Sequence, residues 1–580
     1  IYYITMERGA ANVEEGALGF SGNESGYALA SFLLGLPNSS TSPEGLPLTC
    51  PRNTRLGGYF QDDWKVSPRM TISGGLRWDY IGVPTDSKGL WRTLDFPGTG
   101  LGVDGRGAGY QIPGGAKIPA IAPASLGDAG AIALFKSKNF FMPRLGITFR
   151  PKDKWVIRSG AGLFDNINHL NTWTIFNLMP PKSGSLLFNS VTDVSQIIPV
   201  TGGNGLPLNL QTRIFRPGQP ILTLNDPFLQ GAGVAAAARP VALNYVPPDY
   251  KHGDVWKWSF DIQRELPFNT ALTVGYVGSK GSHTGNSVGN YNQPLPSPDT
   301  NVQIRRPYQQ FYDPAVPQRG VQTLSTIRYI DSYGENFHHG LQVKADHRFS
   351  RGVAFGFAYT WSKTHGDGEN GGQEGVSYQD PLNRLGSRGR FRFDQRHNMV
   401  ANFVWELPGR NLKGALGYII GGWQSNGIVS IRSGFPFTVT QGGDINTGGP
   451  VRPDQVGDLY LDNPTRAQWF NPQAFSRVTC NVPSRQDLCR FGTFGYQVMS
   501  GPGQRNLDFS VFKNFAFKER FNLQFRVEAI NSTNTPYFGA PNGIGFTNVN
   551  QLTPDGTRMG EVRGLVNPMR IMQFGLKLMF

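Results

Sequence analysis

Long apolar runs are missing from this chain: no 18 consecutive residues are apolar, which excludes a membrane-spanning helix. Cysteine is scarce, with three in 580 residues, so neither a disulfide-dense scaffold nor a zinc ribbon fits. P-loop, nucleophile-elbow and zincin motifs are lacking, and no spacing of Ser and His singles any of them out. The sequence therefore carries no enzyme signature and calls for no cofactor. No linker, compositional shift or convincing helical period divides a length that would otherwise suggest about four soluble domains. Glycine and proline, 116 of 580 residues, stay below the roughly 25–30% that marks disorder.

Acidic residues are the minority charge, 41 against 55 Lys and Arg, for a net +14. A basic balance raises nucleic-acid binding as a reading. The densest basic group, Arg384, Arg388, Arg390, Arg392 and Arg396, is interrupted by Asp380 and Asp394 and lies in no nucleic-acid fold, so no nucleic-acid partner is expected.

What the chain does have is alternation. In the last eleven residues Met572, Phe574, Leu576, Leu578 and Phe580 share one face, and Gln573, Gly575 and Lys577 the other. The same period recurs at Phe521, Leu523, Phe525 and Val527, at Leu507, Phe509 and Val511, and at Met70, Ile72, Leu76, Trp78 and Tyr80. Trp256, Trp258, Phe260 and Ile262, and Leu341, Val343, Ala345 and Phe349, repeat it again. Alternation alone does not separate a soluble sandwich from a membrane barrel, because the apolar face packs inward in one and meets lipid in the other. Connection lengths do. Links as short as Val66–Arg69, Arg150–Asp153, Phe349–Gly352 and Ala516–Glu519 largely alternate with links of dozens of residues. Compact soluble domains rarely hold several such loops, whereas outer-membrane barrels have short periplasmic turns and long outer loops.

Fourteen strands are expected, near residues 1–8, 55–66, 69–81, 142–150, 154–164, 254–264, 269–278, 340–349, 352–362, 397–406, 422–440, 506–516, 519–530 and 570–580. The outer loops become 82–141, 165–253, 279–339, 363–396, 441–505 and 531–569, with Leu407–Gly421 an unusually long link on the periplasmic side. The fold class is thus all-β, an antiparallel outer-membrane β-barrel. Trp64, Trp78, Trp155, Trp256, Trp258, Trp361, Trp405 and Trp423 fall in or at the ends of these strands; interfacial girdles are favoured over sugar stacking in the lumen, because Trp78, Trp256, Trp258 and Trp405 share phase with the apolar face. Cys480 and Cys489, close together in one outer loop, read as a loop-stapling disulfide in an oxidising compartment, and Cys50 is left over. His365, Asp367 and Glu369 in a Gly-rich outer loop, with His338–His339 near a strand start, raise metal binding; a solvated loop is the simpler reading and no metal site is expected.

Specific strings go further. Gly58-Tyr59-Phe60-Gln61-Asp62-Asp63-Trp64-Lys65-Val66-Ser67-Pro68-Arg69-Met70-Thr71, followed by Gly75-Leu76-Arg77-Trp78, resembles a hairpin of TonB-dependent outer-membrane receptors, nearest the Oar-like branch with a carboxypeptidase-regulatory-like domain. Further matches are Gln263–Pro267, Gly275–Gly281, Tyr359–Lys363, Asp394–Asn398, Gly422–Gln424, Ser433–Thr438 and Asn506–Phe515. The resemblance implies a plugged barrel of about 22 strands that moves or displays a ligand with energy passed through TonB. On that reading residues 1–580 are the C-terminal part of a longer receptor, with about 8 strands, plug, regulatory-like domain and signal peptide upstream, and the sheet is expected to have two open edges. The partners implied are outer-membrane lipid, the barrel assembly machinery, the TonB complex through the plug region, and an extracellular ligand. Phe574, Leu576, Leu578 and the final Phe580 resemble the signal read by the assembly machinery. A passive channel and a surface adhesion or signalling barrel are the alternatives. Loop stretches such as Thr201–Pro220 hold no code for the ligand.

Overall fold

In the computed structural model the described residues are 2–5, 17–20, 27–44, 51–83, 85–86, 93–94, 120–121, 137–166, 184–189, 192–201, 207–215, 222–224, 237–238, 241–245, 250–312, 321–367, 378–381, 383–409, 412, 414–442, 445–449, 451–517, 521–539, 559–562 and 564–580. Cys50, Gly368, Glu369 and most of the loops 82–141 and 165–253 lie outside them.

Fourteen strands form the wall. They are β1 (Tyr2–Thr5), β2 (Pro51–Ser67), β3 (Met70–Ile81), β4 (Lys138–Phe149), β5 (Trp155–Asn166), β6 (Gly253–Leu266) and β7 (Thr270–Asn290). The others are β8 (Val321–Ser350), β9 (Val353–Gly366), β10 (His397–Glu406), β11 (Trp423–Arg432), β12 (Gln504–Phe517), β13 (Phe521–Ile530) and β14 (Ile571–Met579). Each pairs antiparallel with the next in sequence, from β1–β2 through β13–β14. All fourteen correspond to the strands expected from the sequence.

Turn chemistry sets the short end of the wall. Ser350 pairs with Val353 around Arg351 and Gly352, whose φ angles of 52° and 82° make the two-residue turn that matches strand twist. Phe268 and Asn269, at φ 62° and 54°, close the β6–β7 hairpin. These positions fix register, and register fixes which side chains share a face.

The wall has an inside-out distribution of polarity. On β14, Phe574, Leu576 and Leu578 are 67%, 70% and 55% exposed, while Gln524 and Asp79 on the opposite face are 9% exposed. A water-soluble protein buries the first set and exposes the second; a wall bathed in hydrocarbon does the reverse. Phe525 on β13, opposite Leu576, is likewise exposed.

Among the described residues the sheet is open. Beyond its Arg52–Arg55 segment, which meets β1, strand β2 pairs on the wall only with β3, and β14 pairs only with β13. The expected two free edges are present.

Several elements differ in extent from the sequence reading. β7 and β8 run far past the wall, with Thr284 opposite Gly334 and Asn290 opposite Arg328. Above the lipid zone no face needs to be apolar, so Gly-, Ser- and Asn-rich sequence pairs there without the alternating signal. β11 stops at Arg432 rather than continuing to residue 440, because Gly434 brings the backbone against Gly501, so close that a Cβ would lie 1.9 Å from the Gly501 carbonyl oxygen. The long periplasmic-side link holds a helix, Gly414–Ile420. The described residues of the link after β11 fold around two apolar clusters, one of which also takes in Met559.

Candidate ligand-facing surface

Register sets side chains in rows across the polar face of the wall, and two adjacent rows frame a hollow. One row, Ser73, Gly146, Gly160, Ser259, Val277, Gly340 and Ser362, is almost entirely small. The row beside it brings Arg144, Gly162, Lys257, Ser279, His338 and Thr364 into line. Small side chains in the first row leave a hollow of about 590 Å³, whose lining includes Arg144, Gly162, Phe164, Lys257 and His338. Phe164 lies between two cations: the Arg144 guanidinium is 4.6 Å and the Lys257 ammonium 5.2 Å from its ring centre. Gly162 permits this, since a Cβ there would come within 3.1 Å of Arg144 and 3.3 Å of Phe164. Sequence reading missed this cluster, because the residues belong to separate strands and only register joins them.

At the long-loop end, four links converge into a cap. Phe437, Leu459, Phe470, Phe475, Phe494 and Met499 form a buried cluster, with Met559 contributed by the link before β14. Phe475 meets Phe470 and Phe494 edge-on at 5.8 and 5.0 Å. A second cluster contains Ile445, Val451, Val478 and Cys480, with Cys489 and Phe491 against it. Cys480 and Cys489 are joined as a disulfide in this layer.

Polar groups inside the cap are tied across links. The Asp454 carboxylate accepts from both Arg490 Nη atoms at 2.9 and 2.7 Å, and from the Thr493 backbone N–H at 2.9 Å. Burial pushes the Asp454 carboxyl up, but the bonds from Arg490 and Thr493 outweigh it and hold the group below its ordinary value of 3.8. Gln293 donates to the Gln379 carbonyl (2.7 Å), Gln379 donates to the Gly492 carbonyl (2.7 Å), and the Arg452 N–H donates to Gln379 Oε1 (3.1 Å). Burial lowers Arg452 to about 10. Trp469 N–H donates to the Gly560 carbonyl at 2.9 Å, which attaches the last link.

A second hollow, about 470 Å³, opens between these links and is lined in part by Tyr291, Leu295, Arg305, Tyr308, Pro381 and Phe491. That volume falls in the range of small-ligand sites. Arg305 donates to the Leu295 carbonyl at 2.8 Å and to the Asn446 carbonyl, so it braces the rim. Burial raises the Tyr308 hydroxyl, with Tyr291 adding to the effect.

The other residues raised by the sequence are dispersed. His338 lies inside β8 rather than near a strand start and bonds Thr364 Oγ1 at 2.8 Å, whereas His339, on the opposite face, bonds Tyr276 at 2.7 Å; the two cannot converge on one ion. His365 stacks on Phe337 at 5.5 Å, and Asp367 accepts the Glu335 N–H at 2.7 Å. Arg390 pairs with Asp394 at 2.7 Å and Arg388 sits 5.5 Å from the Phe337 ring centre, so this basic group is knitted into the cap.

The chain is similar in fold to the ferric yersiniabactin uptake receptor FyuA of Yersinia pestis (9% identity, 94% of this chain and 47% of that one, TM-score 0.36). It is also similar to the FrpB iron transporter of Neisseria meningitidis (12%, 92% and 46%, TM-score 0.38) and the outer membrane transporter YddB of Escherichia coli (9%, 93% and 66%, TM-score 0.32). It spans about half the length of the first of these structures. No curated protein sequence matches it. The family model of the outer membrane beta barrel domain matches residues 1–573, and with lipid-facing strands over that same span the chain belongs to the outer-membrane β-barrel family of the Gram-negative outer membrane.

Proposed function

We propose that this chain is the C-terminal barrel portion of a TonB-dependent outer-membrane receptor, which takes an extracellular ligand at its cap and passes it across the outer membrane. The observation that carries the proposal is the pair of free wall edges on β2 and β14, which calls for further strands between them. The strings from Gly58 to Phe515 that resemble this receptor class support it, as does a cap that offers an aromatic hollow above a polar, cation-bearing wall. On this reading the TonB complex acts through a plug encoded upstream, and the chain is a receptor rather than an enzyme.

The test is twofold. The genomic reading frame upstream of Ile1 is expected to continue through additional strands into a plug; a stop codon directly before Ile1 would overturn the proposal. In planar bilayers the complete gene product is expected to stay closed without an energy source, and steady open-channel conductance would favour a passive pore instead.

A further inference from the structure

We infer that the Gly414–Ile420 helix, in the link between β10 and β11, is an interfacial anchor embedded in the periplasmic-leaflet phospholipid of the outer membrane. Its sequence, Gly-Ala-Leu-Gly-Tyr-Ile-Ile, contains no charged residue, and none of its residues is buried by the protein. Leu416, Tyr418, Ile419 and Ile420 are 62%, 56%, 68% and 46% exposed. Seven residues are too few to hold a helix in water by themselves. An apolar helix with all its large side chains uncovered is matched to a half-apolar medium.

Placement follows from Lys513. By register this residue lies opposite Trp423 on β11 and Phe525 on β13, on the outward face of the wall, yet it is only 4% exposed. Its ammonium donates to the Ile419 carbonyl at 3.2 Å and to the Gly421 carbonyl, and it lies 5.2 and 5.1 Å from the Trp423 and Phe515 ring centres. Trp423 Nε1 donates to the same Ile419 carbonyl at 2.8 Å. The carboxyl end of the helix is thus fixed to the lipid-facing side at the short-turn end of the wall, where a cation satisfies carbonyls that would otherwise end unpaired. Trp405, at the same short-turn end of the wall and in phase with the outward face, is also exposed. The link around the helix supplies Arg410 and Lys413 and no acidic residue, the charge that suits anionic headgroups.

Spin labels placed singly at L416C and I419C test this, with Cys50 changed to Ser and the protein reconstituted in phosphatidylethanolamine–phosphatidylglycerol vesicles. Heat-modifiable migration verifies that each labelled protein is folded. Collision with oxygen is expected to exceed collision with a water-soluble nickel chelate at both sites, at a depth of about 5–10 Å below the headgroups. A label at S430C on the polar face serves as the comparison and is expected to show the lower oxygen-to-nickel ratio. Nickel access at Leu416 and Ile419 equal to that at Ser430 would overturn the anchor, and protection from both reagents would assign the helix to a protein partner instead.

Discussion

Trp361 and Trp405 mark opposite ends of one outward face: Trp405 on β10 stands opposite Val353 at the start of β9, and Trp361, on the same face, stands opposite His397, eight residues further along β9. Eight residues span about 26 Å of strand, or about 20 Å of height at a tilt of about 40°. That is close to the thickness of the apolar band of an outer-membrane barrel. The same division holds around the wall, with Trp64, Trp155, Trp405 and Trp423 toward the short turns and Trp78, Trp256, Trp258 and Trp361 toward the long loops.

Quenching depth checks the two levels. In single-tryptophan variants that retain either Trp361 or Trp405, fluorescence is expected to be quenched more by lipids brominated near the headgroup than by lipids brominated near the chain end. Strongest quenching by the chain-end label at both sites would place these residues at the bilayer centre and remove the girdle.

Polarity of the two faces gives a sharper contrast. Val527 sits between Val511 and Phe574 on the outward face, and Ser430 lies between Val400 and Asn506 on the other. Val527→Arg is expected to lower the unfolding free energy in vesicles by about 2–4 kcal/mol, and Ser430→Arg by much less. Equal losses in urea titrations would show that the faces are not distinguished by lipid.

The reason so much of the wall was readable in the sequence is visible at these same residues. Lipid demands an apolar side chain at every second position, so β10 carries the pattern Met399, Ala401, Phe403, Trp405 along nearly its whole length, and its observed bounds match those expected. Outside the lipid that demand disappears. Asn286 and Ser287 continue β7 with no period to announce it, and Phe437, Phe470 and Phe494 meet in the cap from separate parts of a link that has no repeat. The Arg144–Phe164–Lys257 cluster was hidden for a third reason, since its members come from β4, β5 and β6 and only hydrogen-bond register brings them together.

Phe580, 92% exposed beyond the end of β14, makes no internal contact that its loss would disturb appreciably. If it belongs to the signal read by the assembly machinery together with Phe574, Leu576 and Leu578, its deletion from the complete gene product is expected to reduce the folded, heat-modifiable form in outer membranes severalfold while leaving the stability of refolded protein unchanged. Normal insertion would remove that role.

Cys480 and Cys489 close a short loop, with a sequence separation of nine. Cross-linking a loop of that size removes about 2–3 kcal/mol of unfolded-chain entropy. Changing both residues to Ser is expected to open the cap to trypsin at Arg485 and Arg490 while the wall keeps its heat resistance. In unreduced, denatured protein neither thiol is expected to react with a maleimide, and reaction of both would show that the bond does not form in the cell.

Acid is expected to weaken the outer end of the protein in two steps. His252, 4% exposed at the start of β6, is pushed down to about 4 by burial, with Lys138 and Arg55 adding repulsion. In the unfolded chain the same imidazole titrates near 6.5, so between 6.5 and about 4 the unfolded state binds the extra proton; the contribution of His252 is complete above that window and is lost as pH falls through it. The shift corresponds to about 3 kcal/mol at most. Asp454 is depressed instead, so its contribution is present above 3.8 and disappears only as pH drops further, through the lower value set by Arg490 and Thr493. Hydrogen exchange followed from pH 7 to 3 is therefore expected to show the backbone next to His252, at the start of β6, losing protection first and the 454–493 segment later. In His252→Asn the first step is expected to vanish, and a pH profile identical to that of the unmodified protein would show that this imidazole does not control it.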